Sequence, residues 1–345
     1  MMRISLVIPC YNEELSLPIL LESLEAVRAE LSDYAVDYIF VDDGSKDATR
    51  RILREFSAQM PHLHYISFSR NFGKEAAIYA GLSQSEGDLV AILDADMQDP
   101  PSLIPEMVRL IRDEEFEIVA TRRVTRKGEP PIRSFFARQF YKLINRMSDV
   151  EIVDGARDFR LMKREVVEAV LSLSERQRFS KGIFSWIGFR THWLEFQNIQ
   201  RAAGETKWSF WKLFKYAIEG IVAFTTVPLR LATITGFCVS GAAFIYMVYY
   251  VIRAILLRIY NAVPGYPSLL AIMLFLGGLI LLAQGILGEY LARTYMEVKH
   301  RPLYIIRENS DDHQNHSHVK IPVDADKSID NRNPSSMVNN DPHIG

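Results

Sequence analysis

Apolar and polar residues alternate in blocks along the first third of the chain. Ile4 to Pro9, Val36 to Val41, His64 to Phe68 and Leu89 to Leu93 are short apolar runs, the pattern of strands buried on both faces of a parallel sheet. Segments with helical spacing lie between and after them. Leu17, Leu20, Leu21, Leu24 and Val27 mark the first; Asp47 to Phe56, with Leu53 and Phe56 inward, the second; Glu75 to Ser83 the third; and Leu103 to Ile111 the fourth. A fifth strand is expected at Glu117 to Ala120. Strands alternating with helices imply βαβ crossovers, so the fold class is α/β with a mainly parallel sheet. Further on, Phe135 to Ile144 reads as a helix. Asp154 to Arg164 (DGARDFRLMKR) reads as a compact polar segment leading into an apolar helix, Val166 to Leu173. Arg178 to Trp186 mixes basic, small and aromatic residues, and Trp193 to Gln200 reads as an edge strand.

The pattern changes after residue 206. Trp208, Trp211, Phe214, Ile218, Ile221 and Val222 form one apolar stripe, with Lys212, Lys215 and Glu219 elsewhere, which predicts an amphipathic helix over residues 207–228 lying in a membrane interface. No charged residue stands between Arg230 and Arg253 or between Arg258 and Glu289. Each interval holds an apolar run long enough to cross ~30 Å of hydrocarbon as a helix. Two transmembrane helices are therefore expected, about Leu231 to Ile252 and Leu269 to Gly288, within a hairpin spanning residues 229–292. Lys207, Lys212, Lys215 and Arg230 precede the pair and Arg293, Lys299, Arg301 and Arg307 follow it, against Arg253 and Arg258 in the connection. That asymmetry puts the domain of residues 1–206, the segment 293–307 and both termini in the cytoplasm. Residues 308–345 are polar and read as a disordered tail.

Composition narrows the partners. The 345 residues carry 40 basic and 42 acidic side chains, a balance that argues against nucleic acid. Two cysteines, Cys10 and Cys238, give no disulfide framework. The N-terminus runs straight into an apolar strand followed by Asn-Glu-Glu and has no signal-peptide cleavage pattern.

The polar clusters all follow strands: Asp42-Asp43-Gly44-Ser45, Ser69 to Lys74, Asp94-Ala95-Asp96 and Thr121-Arg122-Arg123. Open α/β sheets hold their ligands at that edge. Two carboxylates on alternate residues leaving a strand present hard oxygens to Mg²⁺ or Mn²⁺ bridging a diphosphate, which points to a nucleotide diphosphate site. Alone, an Asp-x-Asp after a strand is equally a solvated turn, so the neighbouring clusters decide its meaning. Arg122, Arg123, Arg126, Lys127, Arg133 and Arg138 add a basic stretch between this edge and the apolar hairpin. The combination suggests transfer from a soluble nucleotide-activated donor to a lipid acceptor.

In order, VIPCYNEE, VDDGSKD, FSRNFGKEAAIYAGL, LDADMQDPP, DFRLMKR, AGETKW and LGEYLARTYMEVKHRPLYII resemble the bacterial polyprenyl-phosphate glycosyltransferases of glycosyltransferase family 2. Within it they are most similar to the bactoprenol glucosyltransferases of O-antigen modification. The resemblance runs from Ile4 to Arg307. It implies a Rossmann-like domain of glycosyltransferase A type and an enzyme of the bacterial inner membrane. It also implies a UDP-sugar donor, UDP-glucose for this branch, a polyprenyl (undecaprenyl) phosphate acceptor, a Mg²⁺ or Mn²⁺ cofactor and a homo-oligomer, a tetramer in the family. Pro9, Tyr11, Asn12, Glu13, Asp42, Asp43, Asn71, Gly73, Lys74 and Asp94 match its nucleotide-binding positions. Asp94, Asp96 and Gln98 match the metal positions, and Asp96 and Asp158 those with a catalytic role. An acceptor phosphate needs a cationic cradle, for which Arg122, Arg133, Arg201 and Lys207 are the candidates. The chain departs from the family at Arg157, where glycine is usual. Two alternatives stay open: another donor sugar of the N-acetylglucosamine or aminoarabinose type, and a catalytically inactive, membrane-tethered nucleotide-sugar-binding protein.

Overall fold

These runs assemble into one eight-stranded mixed sheet. The computed structural model describes residues 1–123, 155–173, 178–196, 225–257 and 266–310, with Asn145, Val153, Glu175 and Arg176 besides. In chain order the elements are β1 (Arg3–Cys10), α1 (Leu17–Glu30), β2 (Ala35–Asp42), α2 (Thr49–Gln59), β3 (Leu63–Phe68), α3 (Lys74–Gln84), β4 (Leu89–Ile92), α4 (Ile104–Asp113) and β5 (Ile118–Arg123). They continue with β6 (Ala156–Lys163), α5 (Arg164–Ser172), α6 (Ser180–Trp186), β7 (Thr191–Phe196), α7 (Val227–Leu257), α8 (Tyr266–Val298) and β8 (Ile306–Asn309). The strand order is β7-β5-β6-β4-β1-β2-β3-β8. β1 pairs in parallel with β2 and β4, β2 with β3, and β5 with β7, while β6 and β8 run antiparallel to their neighbours. The mainly parallel α/β fold expected from the alternation is the one observed.

Both faces of the sheet are covered, which is why its strands read as unbroken apolar runs. Leu6, Ile8, Phe40 and Leu161 pack with α1, α2 and α4 on one face. Val7, Val41, Ile92 and Met162 pack with α3, α5 and α6 on the other. α3 lies close because it is built from small residues; a Cβ at Gly81 would collide with the Val7 side chain.

One expectation needs correction. The stretch 154–164 is not only a polar segment: most of it is strand β6, inserted antiparallel between β4 and β5. Its period of two sends Phe159 and Leu161 into one core and Met162 into the other. Charge at Arg157, Asp158 and Arg160 hides that period from a hydrophobicity reading. β5 also runs to Arg123, so Thr121 and Arg122 lie in the strand and not after it. The basic stretch 124–144 with its expected helix, the amphipathic segment 207–224 and residues 311–345 lie outside the described residues.

Among the described residues, Val227–Tyr246 in α7 and Phe275–Val298 in α8 are long and apolar enough to cross a membrane, and neither window is buried in the protein. The chain beyond α8 returns to the sheet. Glu297, in the last turn of α8, accepts the Arg176 N–H at 3.0 Å. Tyr304 stacks on Phe68 with ring centroids 4.9 Å apart, and the Ser69 N–H donates to the Ile305 carbonyl at 2.9 Å. β8 then pairs with β3, and Glu308 takes a two-pronged contact from Arg54 at 2.8 and 2.7 Å. Ordered structure thus passes the boundary expected at 308. Arg54 is half-exposed, so the ion pair is worth at most ~1 kcal/mol; the buried, stacked Tyr304 is worth more, ~2–3 kcal/mol. Truncation after Ser310 is therefore expected to leave the melting temperature in detergent unchanged, whereas truncation after Leu303 lowers stability by ~2–4 kcal/mol.

Candidate active site

The strand-end clusters meet at the carboxyl edge of β1 to β4. The loops after β1 and β2 are laced to each other. The Asn12 N–H donates to Ser45 Oγ (2.9 Å), the Lys46 N–H to Asn12 Oδ1 (2.8 Å), and the Glu13 N–H to Thr49 Oγ1 (2.8 Å). Asn12 has φ of +56°, a conformation Asn tolerates, and Gly44 has φ of +67° where a Cβ would overlap the Arg70 backbone. Asp42 is fully buried, accepting from Ser45 N–H (2.9 Å) and Ser67 Oγ (2.6 Å). Asp43 accepts from the N–H groups of Phe72 (2.6 Å) and Gly73 (3.0 Å). Burial raises its carboxyl, with those two donors as a partial offset. Both aspartates therefore brace the crevice from beneath. Tyr11, Asn12 and Asn71 lie exposed on its rim, Glu13 is half-buried against the Ser16 hydroxyl, and Pro9 is buried in β1.

Lys74, the first residue of α3, ties the edge together. Its Nζ lies 2.6 and 2.8 Å from the two oxygens of Asp94, just beyond β4, and 2.5 Å from Asp158 Oδ2 on β6. Burial works against the ammonium, but the two carboxylates outweigh it and hold it charged beyond the ordinary range. Burial would likewise raise Asp158; Lys74, then Lys181 and Arg160, instead hold its carboxyl well below the usual range. An aspartate stabilised as an anion this strongly is a poor proton acceptor.

The loop after Asp94 carries the other oxygen donors. Asp96 Oδ1 accepts the Gln98 N–H (3.1 Å), with Met97 between them at φ of +59°. Arg157 reaches in from β6: Nε donates to Asp99 Oδ1 (2.9 Å) and Nη2 to Gln98 Oε1 (3.1 Å). Burial, offset in part by Arg157 and reinforced by Asp94 and Asp96, pushes the Asp99 carboxyl up to about 6. Asp99 Oδ2 is buried without a hydrogen-bond partner among the described residues. Asp94, Asp96 and Gln98 are all hard oxygen donors on one short loop, in a neighbourhood richer in carboxylates than in cations, and that chemistry fits a divalent ion. Among the described residues no three His, Cys, Asp or Glu side chains form a metal cage. A cation shared between two carboxylates and a substrate diphosphate needs none.

The family model for glycosyl transferase family 2 matches residues 5–171, from β1 through α5. A prophage bactoprenol glucosyl transferase homolog of Escherichia coli K12 is 43% identical over 306 residues, covering 89% of this chain and 99% of that protein. The chain belongs to glycosyl transferase family 2. A bactoprenol glucosyl transferase of Shigella phage SfV is 42% identical over 306 residues, 89% of this chain and 98% of its own. Among solved structures, mannosyl-3-phosphoglycerate synthase from Rubrobacter xylanophilus overlaps 64% of this chain and 73% of its own at 18% identity and a TM-score of 0.45, too distant to carry an argument.

Of the four acceptor candidates in this glycosyltransferase, Arg122 lies at the end of β5, where its Nε is buried without a hydrogen-bond partner among the described residues. Arg133, Arg201 and Lys207 lie outside the described residues. A cleft of about 190 Å³ between β6, β7 and α6 adds residues the sequence reading missed, among them Arg160, Lys181, Phe184 and Trp193. Arg160 is 3% exposed, stacks 3.7 Å over the Phe184 ring, and donates to the carbonyls of Asp158 and Arg157. Burial lowers it to about 10, with Asp158 and then Glu75 opposing. The alternation of Asp158, Arg160 and Met162 was the signal available, once the segment is seen as a strand. The larger groove, about 750 Å³ among Arg3, Glu25, Asp37 and His62, lies at the amino end of β1 and β2 and holds none of these clusters.

Replacing Lys74 by Met removes the cation that bridges Asp94 and Asp158. Steady-state transfer assays are expected to give a kcat/KM lower by on the order of 10²-fold. The side chain is 42% exposed, so thermal stability should change by no more than about 1 kcal/mol.

Proposed function

We propose that this enzyme transfers glucose from UDP-glucose to a polyprenyl phosphate such as undecaprenyl phosphate, at the cytoplasmic face of a bacterial inner membrane. The observation that carries the reading is the tether described above: two apolar helices return the chain to the sheet whose edge holds the Asp94 loop. One substrate is then reached from water and the other from the bilayer. The relatives named for bactoprenol and for glucosyl transfer support the acceptor and the sugar. The same reading takes α7 and α8 as a membrane hairpin and the enzyme as a homo-oligomer.

The acceptor is a phosphate monoester with a second pKa near ~6, so it is a competent anionic nucleophile at neutral pH without a general base. Its oxygen attacks the anomeric carbon as the bond to UDP breaks, the electron pair leaving with UDP and the configuration inverting to a β-linked lipid-phosphate sugar. Asp158, kept ionised by Lys74, is suited to orient a sugar hydroxyl and to face the positive charge that develops at the anomeric centre. Lys74 offers its ammonium beside the departing diphosphate. Arg122, Arg160 and Lys181 give the acceptor phosphate a cationic approach on the other side of Asp158. Asp94, Asp96 and Gln98 would hold Mg²⁺ or Mn²⁺, which when bound neutralises charge on the diphosphate.

Membranes containing the enzyme, given radiolabelled UDP-glucose and undecaprenyl phosphate, are expected to form labelled lipid, with Asp96→Ala lower by on the order of 10²-fold or more. An unchanged rate in Asp96→Ala removes the carboxylate loop from the chemistry, and labelling only from another nucleotide sugar replaces glucose. The pH profile separates the roles of Asp158. The rate should fall as pH drops through ~6, where the dianionic acceptor phosphate takes up a proton and becomes a monoanion. Asp158 is held as an anion well below that point, so Asp158→Asn should lower the rate without moving the limb. A limb that vanishes in Asp158→Asn makes Asp158 the base after all.

A further inference from the structure

Arg157 has no part in the mechanism above, yet it is only 22% exposed and is committed to the diphosphate loop from the neighbouring strand. We propose that Arg157 is a positioning residue that sets the geometry of the cation-holding loop, residues 94–99. The inference rests on the reading of that loop as a diphosphate and divalent-cation site.

Three observations carry it. The loop is bent through a left-handed residue, Met97 at φ of +59°, and a non-glycine residue keeps such a conformation only where its surroundings enforce it. The only described side chain bridging the two residues that follow is Arg157, with one arm of the guanidinium on Gln98 Oε1 and another on Asp99 Oδ1. Asp99 is fully buried, so this contact is its main compensation for lost solvent.

The third observation is the place of Arg157 in the sheet. Successive residues of a strand point to opposite faces. On β6, Asp158 pairs with Lys74 on one face while Arg157 grips Gln98 and Asp99 on the other. One dipeptide therefore holds the carboxyl end of β4 from both sides and fixes where Asp94 and Asp96 stand relative to Gln98. A planar fork holds two acceptors on adjacent residues in one fixed geometry; a lysine ammonium at the same site is a shorter, freely rotating point charge that does not fix their relative positions.

The test uses full-length enzyme in detergent, with Mn²⁺ binding followed by electron paramagnetic resonance, with and without UDP. Arg157→Lys is expected to weaken Mn²⁺ binding in the presence of UDP by about tenfold or more, while UDP affinity in EDTA and the KM for acceptor lipid stay within about twofold. A structural defect would move all three. Arg157→Gln strands a buried carboxylate and is at risk of unfolding, so the double variant Arg157→Gln with Asp99→Asn supplies a neutral, hydrogen-bonding pair. It should melt near the wild type and still bind Mn²⁺ weakly, because Gln98 has lost its fork. Wild-type Mn²⁺ affinity in either folded variant overturns the inference. Failure of the wild-type enzyme to bind Mn²⁺ with UDP overturns the reading of the loop itself, and the two failures are thereby told apart.

Discussion

The structure depends on concentrating negative charge at one sheet edge without forcing it apart. Asp94, Asp96, Asp99 and Asp158 crowd the carboxyl end of β4 and the amino end of the antiparallel β6, and like charges at such range repel strongly where water is partly excluded. Lys74 and Arg157 are threaded between them from opposite faces of the sheet. The consequence is a division of ionisation states. Asp158, touching the Lys74 ammonium, is held as an anion, whereas Asp99, fully buried, is drawn toward neutrality. The sheet edge thus carries a fixed negative charge at Asp158 and a protonatable carboxyl buried at Asp99.

That arrangement follows from chain connectivity. Lys74 can reach Asp94 because α3 begins directly after the loop that Asp43 pins through the Phe72 and Gly73 N–H groups. Asp158 can reach Lys74 because β6 is inserted beside β4 instead of continuing the parallel series. The loop held by Asp43 is also the loop reached from the far end of the chain, through Ser69 to Ile305 and Tyr304 on Phe68. Nucleotide loop, sheet edge and the segment after the second apolar helix therefore form one packed unit.

Much of this was legible in sequence. The strands β1 to β4 are buried on both faces, so each appeared as a compact apolar run, and the acids that follow them were readable as strand-end clusters because nothing apolar interrupts them. β6 was not legible as a strand, for the opposite reason. Three of its eight residues are charged site residues, and the period of two survives only in Phe159, Leu161 and Met162. Arg160 could be placed only once that strand is recognised, and Lys181, which joins it in the cleft lining from α6, has no local signature. The family resemblance pointed to Asp158 and marked Arg157 only as a departure from the usual glycine, with no sign of its partners, which lie 58 and 59 residues away.

The distribution of cations around Asp158 gives the site a direction. Lys74 stands between Asp158 and the Asp94 loop, while Arg160 and Lys181 stand on the cleft side, with Arg122 at the end of the adjoining strand. An anion entering the cleft meets Arg160 and Lys181, and an anion at the Asp94 loop meets Lys74. On the proposed reaction, two phosphorylated substrates would occupy neighbouring positions with Asp158, flanked by cations, between them. In that proposed reaction the same screen removes the need for a base: the positive surroundings that lower the proton affinity of Asp158 would also favour the ionised, nucleophilic form of an incoming phosphate. On that proposal the acidity of the site and the readiness of its acceptor are two effects of one charge arrangement.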